Sequence, residues 1–306
     1  MSTAAGALPS SGAPAAPRAL LVWGALGTVY IVWGSTYLAI RVMVETVPPL
    51  LGAGARFLVA GALMLAVLGS VRGWRRIRPT RHQLAGAGVI GLLLPGANAV
   101  VSVAEVDVPS NLAALLIASV PLILIVLRRL TGDRVARASY AGVVVGFGGV
   151  ALLLLAGERP DGATLAGMLL CVVAASMWAT GSFAGSRIDL PPDVLVSTAW
   201  QMLLGGAAIT VAGLAAGETV GAVSGDSALA FAFLVFVGSM IAYTAYAWLL
   251  RNVRVSKVAT YAYVNPAVAI VLGWLVLDET ITALALAGAA IIITSVALVV
   301  RAETNP

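Results

Sequence analysis

The chain has 306 residues, of which 60% are hydrophobic and only 10% are charged, and its mean hydropathy is +1.02. A soluble domain carries about a quarter charged residues, so this composition excludes a soluble globular fold. The net charge of +5 would suit a nucleic-acid partner, but the positions of the charges, given below, argue against one and indicate membrane topology instead.

Ten apolar windows follow a short N-terminal tail. Residues 1–18 are mostly Ala, Pro, Gly and Ser with one charge, which predicts a disordered cytoplasmic tail. One membrane-spanning helix needs about 20 apolar residues. Such windows lie near residues 19–41, 50–71, 83–104, 109–130, 138–156, 163–186, 194–216, 228–250, 256–277 and 281–300. The sequence therefore predicts an all-α membrane protein with ten transmembrane helices and no sizeable soluble domain.

The basic residues mark one side of the membrane. When alternate loops are assigned to opposite sides, only Arg41, Arg56 and Arg159 of the 18 lysine and arginine residues fall outside the side that carries the N-terminal tail. The residues on that side are Arg18, Arg72, Arg75, Arg76, Arg78, Arg81, Arg128, Arg129, Arg134, Arg137, Arg187, Arg251, Arg254, Lys257 and Arg301. Most acidic residues lie on the opposite side. Because basic residues in short loops mark the cytoplasmic face, both termini are predicted to be cytoplasmic.

The two halves of the chain repeat each other. A shift of 145 residues places Trp33 on Trp178, Arg56 on Gln201, Gly61 on Gly206, Pro121 on Pro266 and Asp133 on Asp278. Each half contains five windows, and this odd number makes the second copy enter from the opposite side of the membrane. In transporters, such an inverted-topology repeat places the substrate site near the midplane, where the halves meet. Chance similarity between two apolar, Ala-rich halves is the alternative.

Five runs of sequence resemble one known family. They are WGSTYLAIR at 33–41, PPLLGAGARF at 48–57, VPSNLAALLIASVPL at 108–122, SMWATGSFAGSR at 176–187 and YAYVNPAVAIVLGWLVLDE at 261–279. In combination they resemble the ten-helix branch of the drug/metabolite transporter superfamily, the EamA family, and within it the YedA-like exporters. The resemblance implies two EamA repeats, at 19–156 and 163–301, around a central cavity. It also implies export of small metabolites or drugs across the inner membrane, but no particular substrate.

Arg56 is the basic residue that falls within a predicted span. An arginine near the bilayer centre costs about 2.5–3.5 kcal/mol on insertion scales, so it is expected to face the bundle interior or a watery cavity. One interpretation is a fixed positive charge that attracts a carboxylate or phosphate of the substrate. The other is a structural arginine that ties helix ends together with Glu45 or Glu105. The second is favoured, because the resemblance places this arginine in a general motif of the family.

Asn98, Ser102 and Glu105 share one face of the third predicted span, because they are spaced by four and three residues. This polar stripe is expected to face the cavity, and interhelical hydrogen bonding is the alternative. Glu105 is the candidate site for proton coupling, although its place near the outer end of the span also suits the headgroup region.

Aromatic residues at mid-depth are candidates for a cavity wall that stacks on an apolar or aromatic substrate, with ordinary packing as the alternative. On the first, sixth and eighth predicted spans they are Tyr30, Trp33, Tyr37, Trp178, Tyr243 and Tyr246. Trp33 and its repeat partner Trp178 lie at equivalent depths in the two halves.

Pro121 and Pro266 fall at repeat-related positions in the fourth and ninth predicted spans. Each removes a backbone hydrogen bond and favours a kink, so both are predicted hinges, with static bends as the alternative. In the ninth span, Tyr261 and Asn265 share a face and are substrate-binding candidates, and Tyr263 is added to them.

A secondary transporter that works by alternating access is the function that these patterns favour. Cys171 and His82 are the only cysteine and histidine, which argues against a disulfide, a Cys/His metal site and a histidine-based intramembrane enzyme. No catalytic residue, metal or cofactor is predicted. A channel, the other alternative, usually shows rings of charge or a filter motif.

The predicted partners are a small-molecule substrate, the lipid bilayer and, where transport is coupled, protons. In the fifth predicted span, Gly142 and Gly146 form a GxxxG pattern that is typical of close helix contact. We expect this contact within a monomer, and a weak homodimer is the alternative.

Overall fold

The computed structural model describes residues 19–155, 162–253, 258 and 260–304, and the regular structure in these ranges is helical throughout. The first half contains α1 (Ala19–Met43), α2 (Pro49–Arg72), α3 (Arg81–Ala104), α4 (Ser110–Ile117), α5 (Val120–Leu130) and α6 (Arg137–Leu155). The second half contains α7 (Leu165–Gly185), α8 (Val194–Ala215), α9 (Gly225–Phe233), a π-helical segment (Leu234–Ile241), α10 (Ala242–Asn252), α11 (Tyr261–Leu277) and α12 (Ala283–Thr304). The predicted tail at 1–18 and the loop charges Arg159, Arg254 and Lys257 lie outside the described residues.

The ten predicted spans correspond to this series of helices. Nine helical segments of the described chain are long and apolar enough to cross a membrane, by length and composition. α4 and α5 together form the fourth, and α9, the π-helical segment and α10 form the eighth. α11 has 17 residues and follows the positions 254–257 and 259, which are not described. The prediction of an all-α membrane protein with two five-helix repeats is confirmed.

Glycines allow α2 and α8 to pack with their backbones in contact. A Cβ atom on Gly61 would lie 2.6 Å from the backbone nitrogen of Leu203, and one on Gly206 would lie 2.8 Å from the carbonyl oxygen of Gly54 and against the backbone of Leu58. A shift of 145 residues exchanges Gly61 with Gly206 and Leu58 with Leu203. The contact is therefore symmetric about the axis that relates the two repeats.

A second glycine-lined contact joins α6 to α12. A Cβ atom on Gly142 would lie 2.6 Å from Cγ2 of Val299, and one on Gly149 would lie 2.9 Å from Cγ2 of Ile291. The close helix contact predicted for the fifth span is thus made within the chain, between a helix of the first half and a helix of the second.

At the N-termini of three helices of the first half, backbone N–H groups donate hydrogen bonds to a carboxylate of the second half. Glu218 accepts hydrogen bonds from two successive backbone N–H groups at the start of α2, at 3.1 and 2.7 Å. Glu279 does the same at the start of α4, at 2.7 and 3.0 Å. Glu303 accepts from the backbone nitrogen of Ala136, immediately before α6, at 2.9 Å. These bonds satisfy N–H groups that have no partner within their own helices, and the negative charge suits the helix N-terminus.

Alanine at Gly61 or Gly206 is expected to destabilise the protein by about 1–3 kcal/mol, because the added Cβ overlaps the facing backbone. Gly27→Ala and Gly148→Ala are matched controls, since a Cβ at either position meets nothing within 4 Å. Both controls should keep or raise stability, because alanine favours a helix over glycine by about 1 kcal/mol. The measurement is the temperature at which purified protein in detergent loses its monodisperse chromatographic peak. Equal temperatures for all four variants would contradict the α2–α8 contact.

Candidate functional site

A cavity lies between the two halves of the bundle. The space among its lining residues is about 800 Å³ when the open solvent at its mouth is included. Its wall is formed by α1 to α5 of the first half and by α7, α10 and α11 of the second. Both repeats therefore contribute to one enclosure.

The structure brings most of the predicted substrate-binding residues to this wall. Those that line it are Trp33, Tyr37, Arg56, Asn98, Trp178, Tyr243, Tyr261 and Asn265, together with the predicted hinges Pro121 and Pro266.

Three predicted residues, Ser102, Tyr246 and Tyr263, lie outside the lining of this cavity. The Ser102 hydroxyl is buried and donates to the carbonyl oxygen of Asn98 at 3.0 Å, one turn earlier on α3. Tyr246 packs against the ring of Trp33 from α10. Tyr263 is two residues from Tyr261, so the helical period directs it to a different face of α11.

Trp33 is the centre of an aromatic cluster. Its ring centroid lies 6.3 Å from that of Trp178, 5.1 Å from that of Tyr243, 5.0 Å from that of Tyr246 and 5.3 Å from that of Tyr261. The Trp178, Tyr243 and Tyr261 contacts are edge-to-face, the arrangement that aromatic quadrupoles favour. The repeat-related tryptophans thus meet at the interface between the halves, and both line the cavity.

Arg56 projects from α2 into the cavity wall and is only 3% exposed. Its Nε donates to Oγ of Ser239 on the π-helical segment at 2.9 Å. Its guanidinium group also lies over the ring of Phe57, 4.7 Å from the centroid. No described carboxylate, Glu45 and Glu105 included, lies within 4 Å of Arg56, because the close ion pairs between described residues involve other arginines. Those arginines are Arg72, Arg128 and Arg187.

Two asparagines supply amide groups to the wall. Nδ2 of Asn98 donates to the carbonyl oxygen of Leu94 at 3.2 Å. The amide nitrogen of Asn265, in the orientation that satisfies its surroundings, donates to the carbonyl oxygens of Tyr261 at 3.2 Å and of Tyr30 at 3.3 Å. These bonds fix the orientation of both amides. The Asn98 amide also has a second N–H donor and an acceptor oxygen.

Glu105 follows the last residue of α3 and is completely buried. Neither carboxylate oxygen has a hydrogen-bond partner among the described residues, whereas its backbone carbonyl accepts from Arg41. Burial raises the pKa of the Glu105 carboxyl group, and the charge of Glu279 raises it further, while Arg41 and Arg56 lower it. Glu105 is therefore not exposed as a headgroup position requires, and it does not line the cavity.

The two predicted hinge prolines differ in their surroundings. The helix of the fourth span is interrupted at Ala118 and Ser119, immediately before Pro121, which is the second residue of α5. α11, in contrast, continues through Pro266. A backbone break thus accompanies only the first of the two.

The sequence analysis missed the residues that hold Arg56. Ser239 and Gly238 lie on the π-helical segment, and a Cβ atom on Gly238 would lie 3.3 Å from Nη2 of Arg56 and 3.2 Å from Cγ2 of Thr36. Gly238 therefore leaves room for the guanidinium group, and Ser239 orients it. π-Helical turns often occur at functional sites, but the ordinary helical period gives no sign of one.

Comparison with known proteins gives a consistent family. The model of the EamA-like transporter family matches residues 21–155 and 165–301. The "Uncharacterized inner membrane transporter YedA" of Escherichia coli (strain K12) is 40% identical over 283 residues, which cover 92% of this chain and 90% of that protein. The "Probable amino-acid metabolite efflux pump" of the same strain is 25% identical over 276 residues, covering 87% and 90%. A solved crystal structure has the same fold, with a TM-score of 0.63 at 21% identity, over 92% of this chain and 96% of that one.

Cysteine labelling tests the position of the cavity, because Cys171 is the only native cysteine. In a Cys171→Ser background, Asn98→Cys and Ala262→Cys are expected to react with a small methanethiosulfonate reagent in membranes, since both positions line the cavity. Ala99→Cys and Ala269→Cys, on the same two helices but buried at 3% and 0% exposure, should stay unreacted. Mass spectrometry measures the adduct. Equal labelling at all four positions, or labelling only at the two controls, would contradict the cavity.

Proposed function

Because the chain belongs to the EamA-like transporter family, we propose that it is a secondary transporter that exports small organic compounds by alternating access. The observation that supports this most directly is the cavity to which both repeats contribute, with its aromatic rings, its two amides and its one arginine. Inverted repeats that enclose such a site at their interface are a common transporter architecture. A transporter can then expose the same cavity to either side of the membrane in turn.

The relatives support a location and a substrate class. A relative at 40% identity is named as an inner membrane transporter, and we assign this chain to the same kind of membrane. A more distant relative is named as an efflux pump for amino-acid metabolites, which supports amino-acid-like and other small organic metabolites, or drugs of similar size, as cargo.

The loop contacts agree with a cytoplasmic position of both termini. Three ion pairs lie at loops or helix ends assigned to the cytoplasmic side from their charge. They are Arg72–Asp193 at 2.7 Å, Arg187–Asp133 at 2.6 Å and Arg128–Glu303 at 2.5 Å. Because Glu303 lies close to the C-terminus, the pair with Arg128 places the end of α12 beside this basic loop.

The moving units in this proposal are not the two sequence halves. α2 and α8 touch through their backbones, and so do α3 and α8, where a Cβ atom on Gly91 would lie 2.5 Å from the carbonyl oxygen of Gln201. Each of these pairs joins one half of the chain to the other. Rocking of the first half against the second would break all of these contacts, so we infer that α2, α3 and α8 move together. The pair of α6 and α12 forms another such unit.

Flux measurements in proteoliposomes test the transport function. Vesicles that contain the purified protein and are loaded with metabolite or drug mixtures should release at least one compound faster than protein-free vesicles. Trp33→Leu, Asn98→Ala and Asn265→Ala should reduce that release about fivefold or more, because each removes about 1 kcal/mol or more of contact in the cavity wall. Trp274→Leu is the matched control, since Trp274 is 56% exposed on the outer surface of α11.

The flux results can contradict the cavity as the transport site or the transport function itself. Wild-type release from all three cavity variants, with normal amounts of folded protein, would remove the cavity as the transport site. Ion-channel currents, or no release of any compound, would contradict a secondary transporter.

Glu105→Gln tests proton coupling. Because burial raises the pKa of Glu105, its carboxyl group is expected to be protonated at low pH and to lose the proton as the pH rises through that raised value. The glutamine variant can neither bind nor release this proton, so it should lose accumulation driven by a pH gradient while it retains substrate exchange. Glu45→Gln, at an exposed position, should keep both activities. An unchanged pH dependence of flux in Glu105→Gln would rule out Glu105 as the coupling site.

A further inference from the structure

Arg56 has no described carboxylate within 4 Å, although its guanidinium group lies 4.7 Å from the centroid of the Phe57 ring and the buried Glu105 carboxyl group attracts it from farther away. The ion pairs between described residues leave it out, and its hydrogen bond to Ser239 is made by Nε alone. A buried charge normally has a partner, because removing an isolated charge from water is very costly. Arg56 lines the cavity, so an anion bound there would supply the close ion pair that the described carboxylates do not.

The rest of the wall is uncharged. Its described residues are apolar or aromatic, with two asparagines and one threonine, and they include no carboxylate. The cavity as a whole therefore presents one positive charge beside the aromatic surface of Trp33 and Trp178. A cationic ligand would meet repulsion here, and an ammonium group would find no acidic partner.

We propose that the cavity binds small organic carboxylates of net charge −1, with the carboxylate paired to the Nη atoms of Arg56 and an aromatic or apolar part placed against Trp33 and Trp178. This proposal names a substrate class for the function proposed above and depends on it only for the direction of transport. A guanidinium edge matches the two oxygens of a carboxylate. A phosphate monoester, which has a charge near −2, would leave one charge uncompensated in an apolar enclosure.

A matched set of four phenylalanine derivatives tests the proposal, because they share one ring and differ in charge. N-acetylphenylalanine is an anion, N-acetylphenylalaninamide is neutral, phenylalanine is a zwitterion and phenylalaninamide is a cation. Isothermal titration calorimetry on the purified wild-type protein should show the anion bound about tenfold or more tightly than the neutral amide, since hydrogen bonds to charged groups are the stronger ones. The zwitterion and the cation should bind more weakly than the anion.

Variants of Arg56 separate its charge from its structural contribution. Arg56→Gln should bind the anion no better than the neutral amide, whereas its affinity for the neutral amide should stay within about twofold of the wild type. Arg56→Lys should keep a reduced preference for the anion, because the charge remains but the planar donor edge is lost. Ser239→Ala should weaken the preference, because it removes the hydrogen bond that orients Arg56, whereas Arg75→Gln, at an exposed loop position, should not change it. If Arg56→Gln fails to fold, the proposal is tested by the relative affinities of the four ligands for the wild type and for Arg56→Lys.

The results distinguish this proposal from the transport function. Equal or stronger binding of the cation or zwitterion, no binding of any of the four, or an anion preference that persists in Arg56→Gln would overturn the proposal. The same four compounds are then measured as competitors of flux in proteoliposomes. Anion-selective binding without any flux would contradict the proposed transport function but support the proposed carboxylate site. Flux without anion selectivity would support the transport function and contradict the carboxylate site.

Discussion

The contact between α2 and α8 is the constraint on which the rest of the bundle depends. Gly61 and Gly206 bring the two backbones together, and they are related by the same shift of 145 residues that aligns the halves of the sequence. In a bilayer, where apolar side chains gain little by leaving lipid, such close backbone packing is a main source of helix association. The contact fixes the position of α2, and α2 carries Arg56. The positive charge of the cavity wall therefore comes from a helix whose place is set by its own Gly61 and by Gly206 of α8.

The binding partners of the carboxylates differ between the two sides of the membrane, because arginine is unevenly distributed. On the side assigned to the cytoplasm, Asp133, Asp193 and Glu303 each have an arginine partner. On the other side arginine is rare, and Glu218 and Glu279 bind instead to the N-terminal N–H groups of α2 and α4. A helix N-terminus carries about half a positive charge, so it replaces the missing cation. The ion pairs Arg72–Asp193, Arg187–Asp133 and Arg128–Glu303 and the carboxylate contacts at the helix N-termini join the first half of the chain to the second. They are a further reason why the halves do not form separate rigid bodies.

Features that depend on composition and on the regular period of the α-helix could be predicted from the sequence. Features that depend on a local departure from that helical period could not. The spans, the repeat and the positions of Trp33, Asn98 and Asn265 in one wall follow from apolar length and from spacings of three and four. The π-helical segment inserts an extra residue into the eighth span, and for that reason Ser239 was missed as the partner of Arg56. The burial of Glu105 was also unpredictable, because it depends on residues from other helices of both halves, among them Tyr37 on α1 and Cys171 on α7.

Arg56 also bears on how export is driven. Arg56 has no described carboxylate within 4 Å, so a substrate carboxylate, as proposed, would provide the close ion pair that favours a buried guanidinium group. The charge of the proposed substrate also affects the energy of transport. Across a membrane that is negative inside, outward movement of a monoanion is favoured by about 2.3 kcal/mol for each 100 mV. For a substrate of the proposed class, the membrane potential and the concentration gradient would thus drive export without a coupled proton.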